Sequence, residues 1–209
     1  MSDDPASRAA VFDALYTRDP DPWNFETSAY EAAKRDATIA MLGQRTFAHG
    51  VEFGCSTGVL SEQLAHRCRE FLAVDVSRLA CKAAQARLAG TAARVERMDI
   101  PEQWPGSAFD LMVFSEVLYF LGAEEIGQTS RQAATSLDPG GVCLLVNWTG
   151  PNDLPVSGDD AVRLFVEAGG WQVLNSCHKD TYRMDLLHLV RTPSPKQRSG
   201  RAPFERTTR

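Results

Sequence analysis

The fold of this chain is decided by the stretch Val51–Gly58, VEFGCSTG, together with the residues that follow it. A short apolar strand stops at a turn that carries two glycines, a helix follows, and a second strand ends in Asp75. A strand, a glycine-bearing turn, a helix and an acidic residue about 20 positions later are typical of proteins that bind nucleotide-like ligands. The sequence therefore raises the question of which ligand this turn binds.

Strands and helices alternate on the C-terminal side of this turn. Strands are predicted at 50–54, 71–75, near 94–98, in FDLMVFS and in VCLLVNW, and helices over 59–67, 78–89, 123–136 and 159–168. Such alternation predicts a parallel sheet covered by helices on both faces. The last two apolar runs, WQVLNSC and DLLHLVR, have no helix between them, so we expect them to pair antiparallel. The predicted fold is α/β: a doubly wound, Rossmann-like sheet of seven strands, mostly parallel, with a C-terminal antiparallel hairpin.

Two further segments flank this domain, which we place at residues 44–191. Residues 1–43 are predicted to form a helical lid, with a helix over 6–16, a loop with several X-Pro steps, and a second helix running to about Met41. Ser28 and Glu31 have the spacing of a capping box at the start of that second helix. Residues 192–209 carry a net charge of +4 without periodicity, which predicts a disordered basic tail. We expect Asp138–Gly141 to form a tight turn that precedes the fifth strand.

Composition excludes several classes of function. The net charge of the 209 residues is −5, and residues 1–191 alone hold −9, which argues against binding to nucleic acid. No window of 18 uncharged apolar residues and no secretory signal is evident, so we expect neither a membrane span nor export. The five cysteines form no CxxC pair, which favours reduced thiols over a metal site or disulfides. We therefore expect a cytoplasmic protein, a monomer, that uses no metal.

The glycine spacing separates two kinds of nucleotide-like ligand. A dinucleotide-binding GxGxxG pattern that starts at Gly54 would need glycine at positions 56 and 59, where this chain has Ser56 and Val59. The pattern E-x-G-x-x-x-G is weaker at holding a pyrophosphate and better suits S-adenosylmethionine, whose amino-acid end carries no phosphate. A glycine-bearing turn that only reverses the chain is the structural alternative.

Polar residues after the next strands supply candidate contacts to such a ligand. Asp75 can accept hydrogen bonds from both ribose hydroxyls, and Asp99, 24 residues later, can accept one from an adenine amine. Ser115, Glu116 and Tyr119 follow the fourth strand on the side where the ligand is expected. Asp99 could instead cap a turn, and Glu116 could lie at a helix N-terminus for electrostatic reasons.

These stretches together resemble a family. VEFGCSTG, Asp75, Asp99, FDLMVFSEVLYFL and LDPGG resemble class I S-adenosylmethionine-dependent methyltransferases over about residues 20–191. The block DPWNFETSAYEAAKRDATIAML, the GCSTG form of the turn and SEVLYFL resemble the nodulation protein S family within that class. That family N-methylates an amino sugar at the non-reducing end of a chitin-type oligosaccharide. The resemblance implies S-adenosylmethionine as the cofactor and a small molecule or an oligosaccharide as the acceptor.

The expected site residues follow from the residues and from this resemblance. Glu116 is expected to bind the amine or hydroxyl of the acceptor, and Tyr119 to form the wall beside it. Lys34, in the N-terminal block, is expected to reach the carboxylate of the cofactor. The residues expected to bind the cofactor are Trp23, Tyr30, Lys34, Gly54, Cys55, Ser56, Gly58, Asp75, Val76, Asp99, Ile100 and Ser115.

Alternatives remain open for both the activity and the roles. O-methylation of a small metabolite would use the same cofactor, and a non-catalytic module would also need the turn and Asp75. Cys55 has no adjacent base and is expected to be a small loop residue rather than a nucleophile. Trp23 and Phe25 could simply dock the N-terminal extension on the sheet. His178 could act as a base only if the final hairpin folded over the site.

Overall fold

The computed structural model describes residues 7–190 as one seven-stranded sheet between two layers of helices. The strands, β1 to β7 in chain order, are Phe47–Phe53, Cys68–Asp75, Ala93–Arg97, Phe109–Ser115, Leu137–Trp148, Trp171–His178 and Tyr182–Leu189. The helices, α1 to α6, are Arg8–Arg18, Ala29–Met41, Val59–Ala65, Arg78–Arg87, Ala123–Ser136 and Gly158–Gly169. A 3-10 helix spans Leu118–Phe120. The predicted tail at 192–209 lies outside the described residues.

The strand order is β3-β2-β1-β4-β5-β7-β6. The first five strands in this order are parallel, and β7 pairs antiparallel with both β5 and β6. The predicted doubly wound α/β fold with its C-terminal antiparallel hairpin is therefore confirmed. The chain runs outward from β1 to β3 and then returns to β4, so the carboxyl ends of β1 and β4 diverge at a switch point where ligands bind in such sheets.

Both faces of the sheet are covered by apolar helix faces. One core contains side chains from α5, α6 and the 3-10 helix, among them Ile126 and Phe165. The other contains side chains from α3 and α4, among them Leu64 and Ala84, and Leu42 at the end of α2. Because the central strands are buried on both sides, their sequences are continuous apolar runs, which is the pattern that made them easy to locate.

Two local predictions differ from the structure. The helix expected over 6–16 is shifted to Arg8–Arg18, because the Ser7 hydroxyl accepts a hydrogen bond from the Ala10 N–H and caps the helix there. The tight turn expected at Asp138–Gly141 is part of β5, which already begins at Leu137. The pairing of β4 with β5 shifts register between Phe109 and Leu111, opposite these residues, as at a β-bulge. Within them, Gly140 has a positive φ of 82°.

No helix within residues 7–190 has the length and apolar character that spanning a bilayer requires. This part of the chain also contains no group of three or more His, Cys, Asp or Glu side chains that could hold a metal ion. The expected monomer, its cytoplasmic location and the absence of nucleic-acid binding stay predictions.

One carboxyl group lies inside the core beside the sheet. Glu52, on β1, is 1% exposed and accepts a hydrogen bond from the Ser61 hydroxyl of α3. Burial raises the pKa of Glu52 to about 8; the bond from Ser61 opposes this increase, and the nearby Asp75 carboxylate adds to it. The folded protein therefore favours the protonated form of this side chain over a pH range in which an unfolded glutamate is ionised.

This raised pKa predicts a pH dependence of stability. An unfolded glutamate titrates near pH 4.3, so the contribution of Glu52 is fully present below that pH and is lost as the pH rises toward 8, by up to about 1.4 kcal/mol per pH unit. Glu52→Gln should reduce this slope in the free energy of unfolding, measured by urea denaturation at pH 5, 6, 7 and 8. Glu124→Gln, at an exposed position of α5, is the matched control and should retain the slope. An unchanged slope in Glu52→Gln would contradict the assignment.

Candidate active site

A cavity of about 520 Å³ opens at the carboxyl ends of the parallel strands. Its walls follow the strand order along the sheet. Asp99 and Ile100 follow β3, Asp75 ends β2, and Gly54 follows β1. The opposite end is formed by Glu116, after β4, and by the end of β5, and helices α1 and α2 supply further wall residues. The cavity therefore spans the switch point between β1 and β4.

The turn after β1 needs a glycine because of its neighbour across the sheet. Gly54 has a φ of 84°, and its N–H donates to the Val74 carbonyl of β2. A Cβ atom at Gly54 would collide with the carbonyl oxygen of Ser115 and lie 3.1 Å from the Cβ of Val117. The glycine thus allows the chain after β1 to pass close to the chain after β4 at the floor of the cavity.

Asp75 is fixed by backbone donors on either side of it. The Ser56 N–H donates to Oδ2 at 2.9 Å and the Ser77 N–H donates to Oδ1 at 2.8 Å. Burial raises the pKa of Asp75 above its ordinary value, and these backbone hydrogen bonds oppose the increase. Ser56 itself has a φ of 49°, a conformation that costs energy for a residue other than glycine and is held here by this contact. The result is a carboxylate positioned in the cavity wall with lone pairs left for a pair of hydroxyl donors.

Two residues of the turn do not line the cavity as predicted. Cys55 is 3% exposed and lies in the core beneath the turn, where burial raises the pKa of its thiol well above the ordinary value. Gly58 is the N-cap of α3, and a Cβ atom there would lie 3.1 Å from the Cα of Ala84 in α4. This glycine therefore allows α3 and α4 to approach each other and does not provide space for a ligand.

Helix α1 lies over one end of the cavity and forms hydrogen bonds with the segments that follow β1, β2 and β3. The Tyr16 hydroxyl is 2.5 Å from the Ser56 hydroxyl. The Ser77 hydroxyl donates to Asp13 at 2.6 Å. Arg8 forms an ion pair with Asp99 and donates at 3.0 Å to the Ile100 carbonyl. Asp99, whose carboxylate was predicted to accept from an adenine amine, therefore pairs with an arginine of the N-terminal segment.

Arg8 also contacts Glu125 of α5, whose other oxygen accepts from the Gly122 N–H. Burial lowers the pKa of Arg8, but its two carboxylate partners outweigh this and leave the pKa raised. One guanidinium therefore links the first helix to the loop after β3 and to the start of α5. Residue spacing could not predict this contact, because Arg8 is 91 residues from Asp99 and 117 from Glu125.

Aromatic side chains join the N-terminal segment to the cavity. Trp23 packs against Tyr16 and Phe25, with ring centroids 5.7 Å apart in both pairs, and against Phe12 at 6.2 Å. Phe12 in turn contacts Phe120 of the 3-10 helix edge-on at 5.0 Å. All five rings line the cavity. The same aromatic cluster therefore docks the N-terminal extension on the sheet and lines the cavity. For Trp23 and Phe25, a docking role and a place in the site are both compatible with the structure.

A buried ion network forms the end of the cavity near β4 and β5. Lys34 Nζ is 2.6 Å from Oε1 of Glu116 and 3.0 Å from the nearer oxygen of Glu31. Glu116 Oε2 accepts from the Tyr119 hydroxyl and from the Trp148 N–H, each at 2.7 Å. Burial lowers the pKa of Lys34, but the two carboxylates outweigh it and raise the pKa above its ordinary value. Burial and the neighbouring Glu116 raise the pKa of Tyr119 well above the ordinary range.

Lys34, Glu116 and Tyr119 contact one another in this network, and their predicted roles toward cofactor and acceptor stay predictions. Lys34 was expected to reach a cofactor carboxylate, and its ammonium lies between two protein carboxylates. Glu116 was expected to bind the amine or hydroxyl of the acceptor, and three protein donors bind its carboxylate. The Tyr119 hydroxyl donates a hydrogen bond to Glu116 and is therefore part of this network.

Most of the predicted site residues line the cavity. Those that line it are Trp23, Tyr30, Lys34, Gly54, Ser56, Asp75, Val76, Asp99, Ile100, Ser115, Glu116 and Tyr119. Wall residues that sequence analysis did not assign to the site include Arg8, Phe12, Tyr16, Glu31 and Trp148. His178 is exposed at the end of β6 and is not a wall residue. Glu31 was within reach of prediction, since it is one helical turn from Lys34 in the same block.

The family model for nodulation protein S matches residues 12–138, more than half of the 209-residue chain. The chain belongs to the nodulation protein S family. Nodulation protein S of Rhizobium tropici is 31% identical over 126 residues, which cover 58% of this chain and 52% of that protein. This chain spans about half of the length of the curated relatives that it matches.

Solved structures of similar proteins cover more of the chain. A protein from Pseudomonas syringae is 33% identical, with a TM-score of 0.68 over 76% of this chain and 98% of that chain. The N-methyltransferase NodS from Bradyrhizobium japonicum WM9, solved with S-adenosyl-L-homocysteine, is 20% identical, with a TM-score of 0.71 over 80% of this chain and 91% of that chain. At that identity the second likeness shows only that the two chains share a fold.

The close approach at Gly54 predicts a specific cost of substitution. Gly54 and Gly90 both have positive φ values, 84° and 90°, but nothing lies within 4 Å of a Cβ atom at Gly90. Gly90→Ala should lower the free energy of unfolding by about 1–2 kcal/mol from the left-handed backbone alone. Gly54→Ala should cost about 1–3 kcal/mol more, because Ser115 or the turn must move. Urea denaturation of the two variants measures the difference, and equal losses would contradict the steric role of Gly54.

Proposed function

We propose that this protein is an S-adenosylmethionine-dependent N-methyltransferase that acts on an amino sugar or a similar small amine. The observation that carries the proposal is the excess of negative charge at one end of the cavity, where two carboxylates surround a single ammonium. Membership of the nodulation protein S family and the S-adenosylhomocysteine complex of a relative with the same fold support the cofactor. The chemistry that S-adenosylmethionine supplies when bound is a methyl group on a positively charged sulfur.

The residues at the β1–β3 end fit such a ligand. Asp75 offers lone pairs to the two ribose hydroxyls, and the turn at Gly54 lines the cavity beside it. Tyr16 and Phe12 of α1 also line the cavity. Holding both reactants in line within such a site can supply about 7–11 kcal/mol of the barrier in favourable cases.

The residues at the β4–β5 end fit an acceptor that carries positive charge. Glu31 and Glu116 outnumber Lys34, so the network has a net charge of −1 when all three are ionised. A protonated amine would compensate this charge, whereas a neutral hydroxyl or a carboxylate would not. Tyr30 and Trp148 add aromatic surface beside the network, on which a sugar ring or another amine carrier can pack.

Part of this end is built by residues that the family model does not match. Trp148 and Leu154 line the cavity beyond Asp138, where the match ends. The Tyr30 hydroxyl is 2.7 Å from the Thr181 hydroxyl, at the turn between β6 and β7. We infer that the identity of the acceptor is decided in this region, and that a chitin-type oligosaccharide is one of several amines it could accept.

Ligand binding tests the cofactor half of the proposal. S-adenosylhomocysteine at 100 times its dissociation constant should stabilise the protein by about 2.7 kcal/mol and raise the melting temperature, whereas NAD should not. Asp75→Asn should weaken S-adenosylhomocysteine binding about tenfold or more, because charge-assisted hydrogen bonds to the ribose are lost. Asp36→Asn, at an exposed position of α2, is the control for loss of one carboxylate. Full affinity in Asp75→Asn would contradict the ribose contact.

Transfer of a labelled methyl group tests the acceptor half. S-adenosylmethionine with a labelled methyl should be offered with deacetylated chito-oligosaccharides, glucosamine, simple amines and phenols. We expect label on a free amine. Label only on hydroxyl acceptors would replace the proposal with O-methylation, and tight S-adenosylhomocysteine binding without transfer to any acceptor would favour a binding module.

A further inference from the structure

Glu31 is turned away from the capping role that its sequence spacing predicts. The Ser28 hydroxyl accepts from the Glu31 N–H at 3.3 Å, as in a capping box. The reciprocal bond is absent within the described residues, because the Ser28 N–H donates to the Asn24 carbonyl at 2.9 Å. The Glu31 carboxylate lines the cavity, with its side chain 11% exposed. The Glu31 carboxylate, which in a complete capping box would accept from the Ser28 N–H, therefore points into the cavity.

The remaining capacity for hydrogen bonds differs between the two carboxylates of the network. Glu116 receives three donors, from Lys34, Tyr119 and the Trp148 backbone. Among residues 7–190, Glu31 receives one side-chain donor, the Nζ of Lys34, which lies 3.1 Å from its Oε1 and 3.0 Å from its Oε2. An ionised carboxylate has about four lone-pair positions, so Glu31 retains more of them for a ligand. Lys34 and Tyr119 cannot serve as bases here, since both already act as donors to carboxylates.

We propose that Glu31 is the catalytic residue that binds the amine of the acceptor and removes a proton from it. The proposal rests on the proposed N-methyltransferase function. Glu116, with its three protein donors, positions Lys34 and Tyr119 and thereby fixes the geometry around Glu31. The assignment moves the residue that binds the acceptor amine from Glu116, in the loop after β4, to Glu31 in the first turn of α2.

Proton transfer to Glu31 precedes transfer of the methyl group. A protonated amine has no lone pair, so its nitrogen cannot attack until one N–H bond breaks and the proton bonds to the Glu31 carboxylate. The neutral nitrogen then forms a bond to the methyl carbon while the carbon–sulfur bond breaks and its electron pair stays on sulfur. The product is a methylated ammonium, and Glu31 returns its proton to solvent.

The groups that face Glu31 set the pH at which it is ionised. They are Lys34 and Arg35 of α2, Glu116 after β4 and Tyr119 of the 3-10 helix. Burial raises the pKa of Glu31, Lys34 opposes this, and Glu116 adds to it, so that the pKa lies above the ordinary glutamate value. Because the ionised form accepts the proton, activity should fall as the pH decreases through this raised pKa.

The test compares wild type with Glu31→Gln in the full chain. The acceptor is the amine used best among deacetylated chitotetraose, glucosamine and benzylamine. At pH 7 we expect Glu31→Gln to lower kcat/KM about 100-fold or more, the typical contribution of a general base. The loss should shrink below about tenfold near pH 9, where the amine loses its proton in solution. Glu167→Gln is the matched control, since Glu167 is a glutamate paired with a basic residue on the exposed side of α6.

A binding measurement separates this role from a structural one. Calorimetry with the S-adenosylhomocysteine complex should show that Glu31→Gln weakens binding of deacetylated chitotetraose about tenfold and leaves acetylated chitotetraose unaffected. Affinity for S-adenosylhomocysteine and the melting temperature should change little. A loss of activity that does not depend on pH, or equal weakening of both sugars, would overturn the assignment of Glu31 alone. Absence of methyl transfer to any amine by wild type would overturn the proposed function along with it.

Discussion

The buried ammonium of Lys34 is the contact on which the closed end of the cavity depends. Its carboxylate partners lie on different elements: Glu31 on α2 and Glu116 on the loop after β4. Through Glu116 the same network reaches the 3-10 helix and the backbone of β5. A buried charge without any partner typically costs about 3–5 kcal/mol, so the Lys34 ammonium can stay buried only while at least one of these carboxylates is paired with it. Glu116 is held here with a φ of 55°, an unfavourable conformation that its three hydrogen bonds offset.

The sequence was informative wherever local chemistry and the sheet topology act together. Apolar runs such as FDLMVFS are strands because both faces of a parallel strand are buried, and the Val51–Gly58 turn follows from the same alternation. Parallel strands bring their carboxyl ends to one edge, so Asp75, Asp99 and Glu116 were predicted to lie near one ligand although they are separated in the chain. The structure places all three in the walls of one cavity.

Contacts between distant segments were beyond sequence reasoning. Nothing in the spacing of Arg8 indicates that it meets Asp99 and Glu125, since any exposed arginine of the same helix has the same local signature. Gly58 fits the pattern for a ligand contact equally well, and only the packing of α3 on α4 reveals its actual neighbour. Glu31 is the more instructive case, because its capping-box spacing was correctly recognised. The competing bond from Ser28 to Asn24 releases its side chain, and such competition depends on the conformation of the preceding loop.

The two ends of the cavity differ in where their residues come from. The β1–β3 end is built almost entirely within residues 12–138, the part that the family model matches, apart from Arg8. The β4–β5 end combines matched residues, Lys34 and Glu116, with Trp148 and the Thr181 turn from beyond the match. Under the proposed function, the cofactor contacts and the charged network can therefore persist while the surface that surrounds an incoming acceptor changes. Since the net negative charge resides in the matched part and the aromatic surface partly outside it, the proposed function implies that preference for an amine and preference for a particular carrier of that amine are separable.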